Sequence, residues 1–339
     1  MSTTAEVKAI APSRLGKVAR GKLATAYRYL VYGPEGVGKS SLAADSERPI
    51  FVDVDDGSAG LEVARYLFHD GQGGHVPQSY EDVRAAIADL LNNDHEFKTL
   101  VLDTADRLES LLWRFILSRE SGHATAMNKG GKALTSIEDF GYGKGYQLAL
   151  DEWRGLCRAL DELRNKKQMN IIILAHAQIR TFKSPDSEDF DRYSLRLNDK
   201  AGGFLREWAD VTGFACFEES SGKLGDDGRS KGYSTGRRLL KLTRTATYDA
   251  KTRLALPDQV ELDPAHPWAP LAQAVANNEA QTPASLASAI AEELVRLNDA
   301  ELTAKVNAEV AKAIKDNNKG ALSRYLNALK KRQPREGSL

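Results

Sequence analysis

Residues 33–40 read Gly-Pro-Glu-Gly-Val-Gly-Lys-Ser and complete the pattern G-x-x-x-x-G-K-[ST]. The chemistry of that spacing is phosphate binding. Gly33, Gly36 and Gly38 leave backbone N–H groups free to wrap an anion, and a helix starting behind them would add the positive end of its dipole. Lys39 would reach the β- and γ-phosphates, and the Ser40 hydroxyl would sit on Mg²⁺. Pro34, Glu35, Val37 and Ser41 complete the segment expected to hold the nucleotide. The bland alternative is a glycine turn before an unrelated helix, and the flanking strand and helix argue against it.

Three further groups could work on the same phosphates. Asp103 ends the apolar run Leu100-Val101-Leu102, where an acid holds the Mg²⁺ shell in phosphate-loop enzymes. Asp53, Asp55 and Asp56 close an earlier strand, so one of them could orient or deprotonate an attacking water; acids of a turn around Gly57 would look the same. His176 and Gln178 end a third apolar strand and are both placed to sense a γ-phosphate. The sequence does not rank these two.

Positioning these groups takes strands that finish along one edge. Tyr27–Tyr32, Pro49–Val54, Thr99–Asp103 and Asn170–Ala175 read as strands, with later ones at Asp210–Phe217 and Arg238–Leu242. Helices are expected from Ser41, over 80–92 behind a Ser79-x-x-Asp82 cap, over about 107–119 and over about 147–166. Apolar strands that do not alternate, separated by helices, predict an α/β fold with a mostly parallel sheet covered on both faces. Residues 121–146 and 180–200 read as long loops, and 220–236 as a Gly/Ser/Asp-rich turn. The expected organisation is a basic arm at 1–24 (Lys8, Arg14, Lys17, Arg20, Lys22), an ATPase core at 25–256, a proline-rich linker at 257–283 and a helical region at 284–339 broken near Asn318-Lys319-Gly320.

The 339 residues are 42% hydrophobic and 28% charged with a net charge of zero, so no global field draws the chain to nucleic acid. Local excess exists: residues 301–339 carry nine Lys/Arg against four Asp/Glu, and 218–256 carry nine against five, although a solvated mixed-charge surface accounts for both equally well. Cys157 and Cys216 lack metal spacing and read as packing residues, which suits a reducing cytoplasm. With no apolar leader and no long apolar run, a cytoplasmic location without membrane contact is expected.

In order and spacing, Gly-Pro-Glu-x-x-Gly-Lys-Ser at 33–40, Phe-Val-Asp-Val-Asp at 51–55, Leu-Val-Leu-Asp-Thr at 100–104 and Gln-Ile-Arg at 178–180 resemble the RecA family core. The segments 138–146, 174–176, 191–193, 207–210 and 249–257 narrow the likeness to phage-encoded RecA-like ATPases of single-strand annealing and recombination, over about residues 25–260. The resemblance implies a RecA-like fold and an ATPase using ATP and Mg²⁺. Asp55 stands where the RecA core carries a catalytic Glu, one methylene longer; Gln178 matches the γ-phosphate-sensing Gln and His176 a His of the phage subgroup. Lys251 and Arg253 resemble the Lys-x-Arg pair that RadA-like and DnaB-like ATPases insert into a neighbour's nucleotide site, which implies a ring or filament of copies. The loops at 121–146 and 180–200 correspond to the two DNA-binding loops.

Cations and aromatics in those loops supply the parts single-stranded DNA needs: Tyr142, Lys144 and Tyr146 in the first, and Arg180, Lys183, Arg192 and Arg196 in the second. Acids at 186, 188, 189 and 191 dilute the second set. The expectation is an ATP-dependent single-stranded DNA-binding recombinase or annealing protein, with a single-strand DNA-binding protein as a possible partner. Two alternatives stay open, an ATP-gated assembly protein with little turnover and a DnaB/RadA-like helicase or loader motor.

Overall fold

The computed structural model describes residues 26–69, 73–121, 134–183, 188–223, 230–280, 282–316 and 318–333. The basic arm at 1–24 and residues 122–133 and 184–187 of the two expected loops lie outside the described residues.

The chain opens with β1 (Arg28–Gly33), α1 (Lys39–Ala44) and β2 (Pro49–Asp53), followed by the short strands β3 (Ala64–Arg65), β4 (Phe68–His69) and β5 (Gly74–His75). Then come α2 (Tyr80–Asn92), β6 (Thr99–Asp103), α3 (Ala105–Ser121) and α4 (Lys144–Lys167). The hairpin β7 (Asn170–Phe182) and β8 (Phe190–Leu195) leads to α5 (Asp199–Trp208), β9 (Val211–Lys223), β10 (Ser230–Lys241), β11 (Lys251–Thr252) and β12 (Gln259–Leu262). Four helices close the chain: α6 (Ala269–Ala280), α7 (Pro283–Leu297), α8 (Ala300–Lys315) and α9 (Lys319–Lys330).

The sheet runs β12-β10-β9-β1-β7-β6-β2-β3. From β9 to β3 every pairing is parallel, while β10 and β12 extend the sheet antiparallel. Alternate strand residues face opposite layers. Leu30, Ile50, Leu100 and Ile171 pack with α2, α3, α4 and α5, whereas Tyr29, Phe51, Val101 and Ile172 pack with Leu42 of α1 and Leu271 and Val275 of α6. Both faces are therefore apolar, which is why the strands read as unbroken hydrophobic runs. Ser79 accepts from the Asp82 backbone N–H and Asp82 returns a contact to the Ser79 N–H, so the expected capping box starts α2 and is worth about 1 kcal/mol.

The structure departs from the sequence expectation where polar chain is ordered by pairing. The loop expected at 180–200 is mostly the β7–β8 hairpin, because β7 runs past the sheet edge and pairs from Ala177↔Leu195 to Phe182↔Phe190. The turn at 220–236 shrinks because β9 and β10 continue as an antiparallel ribbon. The stretch at 257–283, expected as a linker, holds β12 and α6; Pro257, Pro264 and Pro267 lie between elements, Pro270 and Pro283 sit in the first turns of α6 and α7 where proline is tolerated, and Val260, Leu262, Trp268 and Leu271 are buried on the core. Helix α4 starts at Lys144, so the first expected loop ends earlier than the glycines suggested. Helices α7–α9 form their own apolar cluster around Leu286, Ile290, Leu322 and Leu326, with Asn318 capping α9 at the expected break.

Glu109 of α3 is 4% exposed and accepts from the backbone N–H of Asn198, the N-cap residue of α5, at 3.0 Å. Burial pushes its carboxyl up to about 7. A carboxyl raised on folding binds more protons folded than unfolded, so this group's contribution to stability is full at low pH and is lost as pH rises through about 7. Glu109→Gln is expected to raise the melting temperature at pH 8 while changing it little at pH 5. Thermal unfolding at both pH values checks this, and an equal shift at the two would remove the charge as its cause.

Candidate nucleotide site

Register puts the site together. Gly33 at the end of β1 lies opposite His176 of β7, and Asp53 of β2 lies opposite Asp103 of β6, so the chemistry-bearing residues share the carboxyl edge of the parallel strands. Ligands of open α/β sheets bind along that edge. Gly33 must be glycine: an added Cβ would lie 2.2 Å from the Ala215 carbonyl oxygen of β9. Gly36 and Gly38 hold positive φ (74° and 94°), which turns the loop around the space above them.

That space is a cavity of about 410 Å³ lined by Glu35, Gly36, Gly38, Lys39, Ser40, Ser41, Asp55, Asp103, His176 and Arg238, among others. Lys39 is 6% exposed and donates from Nζ to the carbonyl oxygens of Gly33 (3.1 Å) and Pro34 (2.9 Å). Burial lowers its ammonium below the ordinary lysine range, against the pull of Asp103, Asp106 and Glu35. A phosphate entering the loop offers Lys39 the counter-charge that two carbonyls lack. Ser40 Oγ donates to Asp103 Oδ2 at 2.6 Å, and burial, with the charge of Asp53 added, pushes the Asp103 carboxyl up to about 6. A hydroxyl and a carboxylate touching beside a phosphate loop make a hard oxygen donor pair that fits Mg²⁺, which takes few protein ligands and completes its shell with phosphate and water. Ser40 and Asp103 are the residues that would hold it, and the ion would neutralise charge on the phosphates.

The three acids after β2 separate. Asp53 is buried and accepts from the backbone N–H of Asp55 (3.0 Å), the Ser58 N–H (2.8 Å) and the Ser58 hydroxyl (2.5 Å), so it holds the turn. Asp55 lines the cavity, and Asp56 is exposed at a φ of 54°.

The two γ-phosphate candidates separate as well. His176 lines the cavity, with Nδ1 3.0 Å from Asp106 Oδ2. Gln178 turns away and donates to the Leu195 carbonyl oxygen inside the hairpin at 2.7 Å. Arg196, expected in the DNA-facing loop, instead reaches Glu35 of the phosphate loop (3.2 Å), Asp106 (2.9 Å) and His176 Nδ1 (3.0 Å). The imidazole Nδ1 either donates to Asp106 or accepts from Arg196, so one proton position decides which neighbour it holds. Burial opposes the charge on Asp106, yet hydrogen bonds from His176 and Arg196 win and hold its carboxyl well below the usual carboxylate range.

The remaining expected residues lie elsewhere. Lys251 Nζ donates to the carbonyl oxygens of Arg206 and Glu207 (both 2.9 Å) at the end of α5, and Arg253 pairs with Asp210 at 3.0 Å. Lys251 lies on β11, which pairs with Thr212 and Val211 at the start of β9, and Arg253 follows directly with its backbone N–H on the Asp210 carbonyl oxygen, so both sit at the edge opposite the phosphate loop of the same chain. Arg192 is not on a free loop: it is 5% exposed, ion-paired with Asp249 at 2.5 Å and stacked over Phe182. Tyr146 is not on one either, since it donates to Glu138 at 2.5 Å and packs edge-on against Trp113. Arg180 pairs with Asp199. Tyr142 is 97% exposed at a φ of 48° between Gly141 and Gly143, and Lys144 and Lys183 are also exposed.

Sequence reading missed Asp106 and Arg238. Asp106 lies in the first turn of α3, where an acid suits the helix dipole whatever else it does, so nothing in the sequence sets it apart. Arg238 had a signal: adjacent Arg237 and Arg238 on a strand must point to opposite faces, so one of them faces inward.

The family of the AAA domain matches residues 25–254. The chain belongs to that family. As an AAA domain P-loop ATPase it binds ATP, and the match covers the core from β1 through β11. No curated protein matches the chain. Among solved structures, the crystal structure of the RadB recombinase aligns over 71% of this chain and 88% of that one, at 14% identity and a TM-score of 0.35. No helix among the described residues is long and apolar enough to cross a membrane.

If Ser40 and Asp103 hold the ion, Ser40→Ala should remove most of the difference between ATP affinity in Mg²⁺ and in EDTA. Titration calorimetry under both conditions checks this, and an undiminished Mg²⁺ effect would exclude Ser40 as a ligand.

Proposed function

We propose that this AAA domain ATPase binds single-stranded DNA in an ATP-dependent way and works as an oligomer in strand annealing or recombination. One observation carries the reading: Arg196 joins Glu35 in the phosphate loop to the base of the β7–β8 hairpin. Its own backbone N–H donates to the His176 carbonyl oxygen at 2.9 Å, and the preceding Leu195 is held by Gln178. Phosphates arriving at Lys39 compete with Glu35 and Asp106 for the Arg196 guanidinium. A guanidinium drawn toward the phosphates would pull on the hairpin root, where a strand of DNA would lie.

The DNA-facing set is smaller than the sequence implied. Tyr142 on the positive-φ turn and Lys144 at the start of α4, with Lys183 and the Asp199-paired Arg180 on the hairpin, present cations and an aromatic face suited to a flexible single strand. Within the nucleotide site, His176 would sense the γ-phosphate and Asp55 would orient the attacking water. Lys251 and Arg253 point away from their own phosphate loop, so a role at a nucleotide requires a second copy, and both would have to leave their present partners on α5 and Asp210.

The test is anisotropy of a fluorescent single-stranded oligonucleotide with Mg²⁺, with and without a non-hydrolysable ATP analogue. Tight binding is expected only with the analogue, and it should be lost in Lys39→Ala. Arg196→Ala should abolish the response of DNA binding to nucleotide. Binding that ignores nucleotide in the native chain would overturn the coupling and point to the basic helices α8 and α9.

A second reading, an ATP-gated assembly protein with little turnover, is favoured by Asp55, which is exposed and carries a short side chain for a base. Steady-state phosphate release should fall by roughly 10²–10⁴-fold in Asp55→Asn if that carboxylate acts on water, the usual range for general-base catalysis. Equal rates would favour the assembly reading.

A further inference from the structure

We infer that Arg238 is a nucleotide-binding residue, contacting the α/β side of the bound phosphates from the strand that overhangs the loop of its own chain. The inference rests on the phosphate-loop reading of the site and adds a cation that the loop motif does not contain.

Four observations converge on it. Arg238 lines the same cavity as Lys39, Ser40 and Asp55. Its guanidinium lies directly over the loop, since a Cβ built on Gly38 would come within 2.8 Å of Arg238 Nη1. The ribbon is shaped to aim it there: the β9–β10 register shifts between Ser234 and Arg238, and Gly236 holds a φ of 76° in the irregular stretch. Such bulges re-aim a side chain next to a site. The guanidinium then rests 5.9 Å from the centre of the Phe217 ring, which supports it without neutralising it.

The neighbouring arginine makes the contrast. Arg237 pairs with Glu218 at 2.6 Å and Glu261 at 3.2 Å. Arg238 has no carboxylate partner among the described residues and is half-buried. A cation held partly out of water without a counter-ion is costly unless an anion arrives. The anion that this loop accepts is a phosphate chain. Backbone groups of a phosphate loop cradle the α- and β-phosphates while its lysine reaches β and γ. A cation above Gly38 therefore acts on the part shared by ATP and ADP, so it strengthens binding of both alike.

The experiment measures affinities of the full chain for ATP and ADP by calorimetry, with inorganic pyrophosphate as a competitor, in the native protein, Arg238→Gln and Arg238→Lys. The glutamine keeps the first part of the aliphatic stem while removing the guanidinium and its charge, and a native melting temperature checks the fold of each variant. Arg238→Gln should weaken ATP, ADP and pyrophosphate together by roughly tenfold to a hundredfold, the range for a hydrogen bond to a charged group. Arg238→Lys should recover part of that loss. Unchanged affinities would overturn the inference. So would a loss confined to ATP, which puts the contact at the γ-phosphate, or a loss that spares pyrophosphate, which makes it a base contact. A native chain that binds no nucleotide at all would fail at the phosphate-loop reading itself, and the inference would fall with it.

Discussion

At Gly33 the backbones of β1 and β9 approach so closely that a methyl group would strike the Ala215 carbonyl oxygen. That contact sets the direction in which the chain leaves the sheet. The loop must climb straight from the carboxyl edge and turn over Gly36 and Gly38 before α1 can begin. Groups lining the cavity are placed relative to that exit: Lys39 folded back on the loop carbonyls, Ser40 against Asp103, and His176 across the register from Gly33. An alanine at 33 would have to push two central strands apart, and overpacking of this kind typically costs about 1–3 kcal/mol.

Charge around the loop is arranged in opposed pairs. Asp103 and Lys39 are both buried, and burial moves each toward its neutral form. Glu35 and Asp106 meet Arg196, which leaves a polyanion competing with two carboxylates for one guanidinium. Such a site is poised rather than satisfied, because its ions lean on one another through backbone carbonyls and long side chains. The hairpin shares this poise, since Arg196 follows directly on Leu195 at its root.

Much of this was legible in the sequence because the signals were local. The phosphate loop, the Ser79 cap and the strand Thr99–Asp103 are each defined by residues within a few positions of one another. What failed was non-local. At 177–182 and 190–195 the strand formers Ile179, Phe182, Phe190 and Tyr193 are interleaved with charged residues, and the segments become strands by pairing with each other, Phe182 against Phe190. The proline-rich stretch after 257 folds because Trp268, Leu271 and Val275 find a sheet face that the sequence does not show. Arg192 and Arg196 stand four residues apart in one charged segment, yet one is buried against Asp249 and the other reaches the phosphate loop. Composition cannot separate them; the alternation of a strand and its exit can.

The sheet also bounds how copies of the chain can meet. One edge of its main path is the two-residue strand β3, and the other is the four-residue β12. Strand addition at either edge would gain only a handful of backbone hydrogen bonds, and Gln259 and Glu261 on β12 are exposed and polar. Short edges of this kind discourage continuous sheets between molecules. The longer open edges belong to the β9–β10 ribbon and the β7–β8 hairpin beyond the main sheet, so a contact made at β3 or β12 would rest on side-chain surfaces, which part and rejoin more readily than a shared backbone ladder.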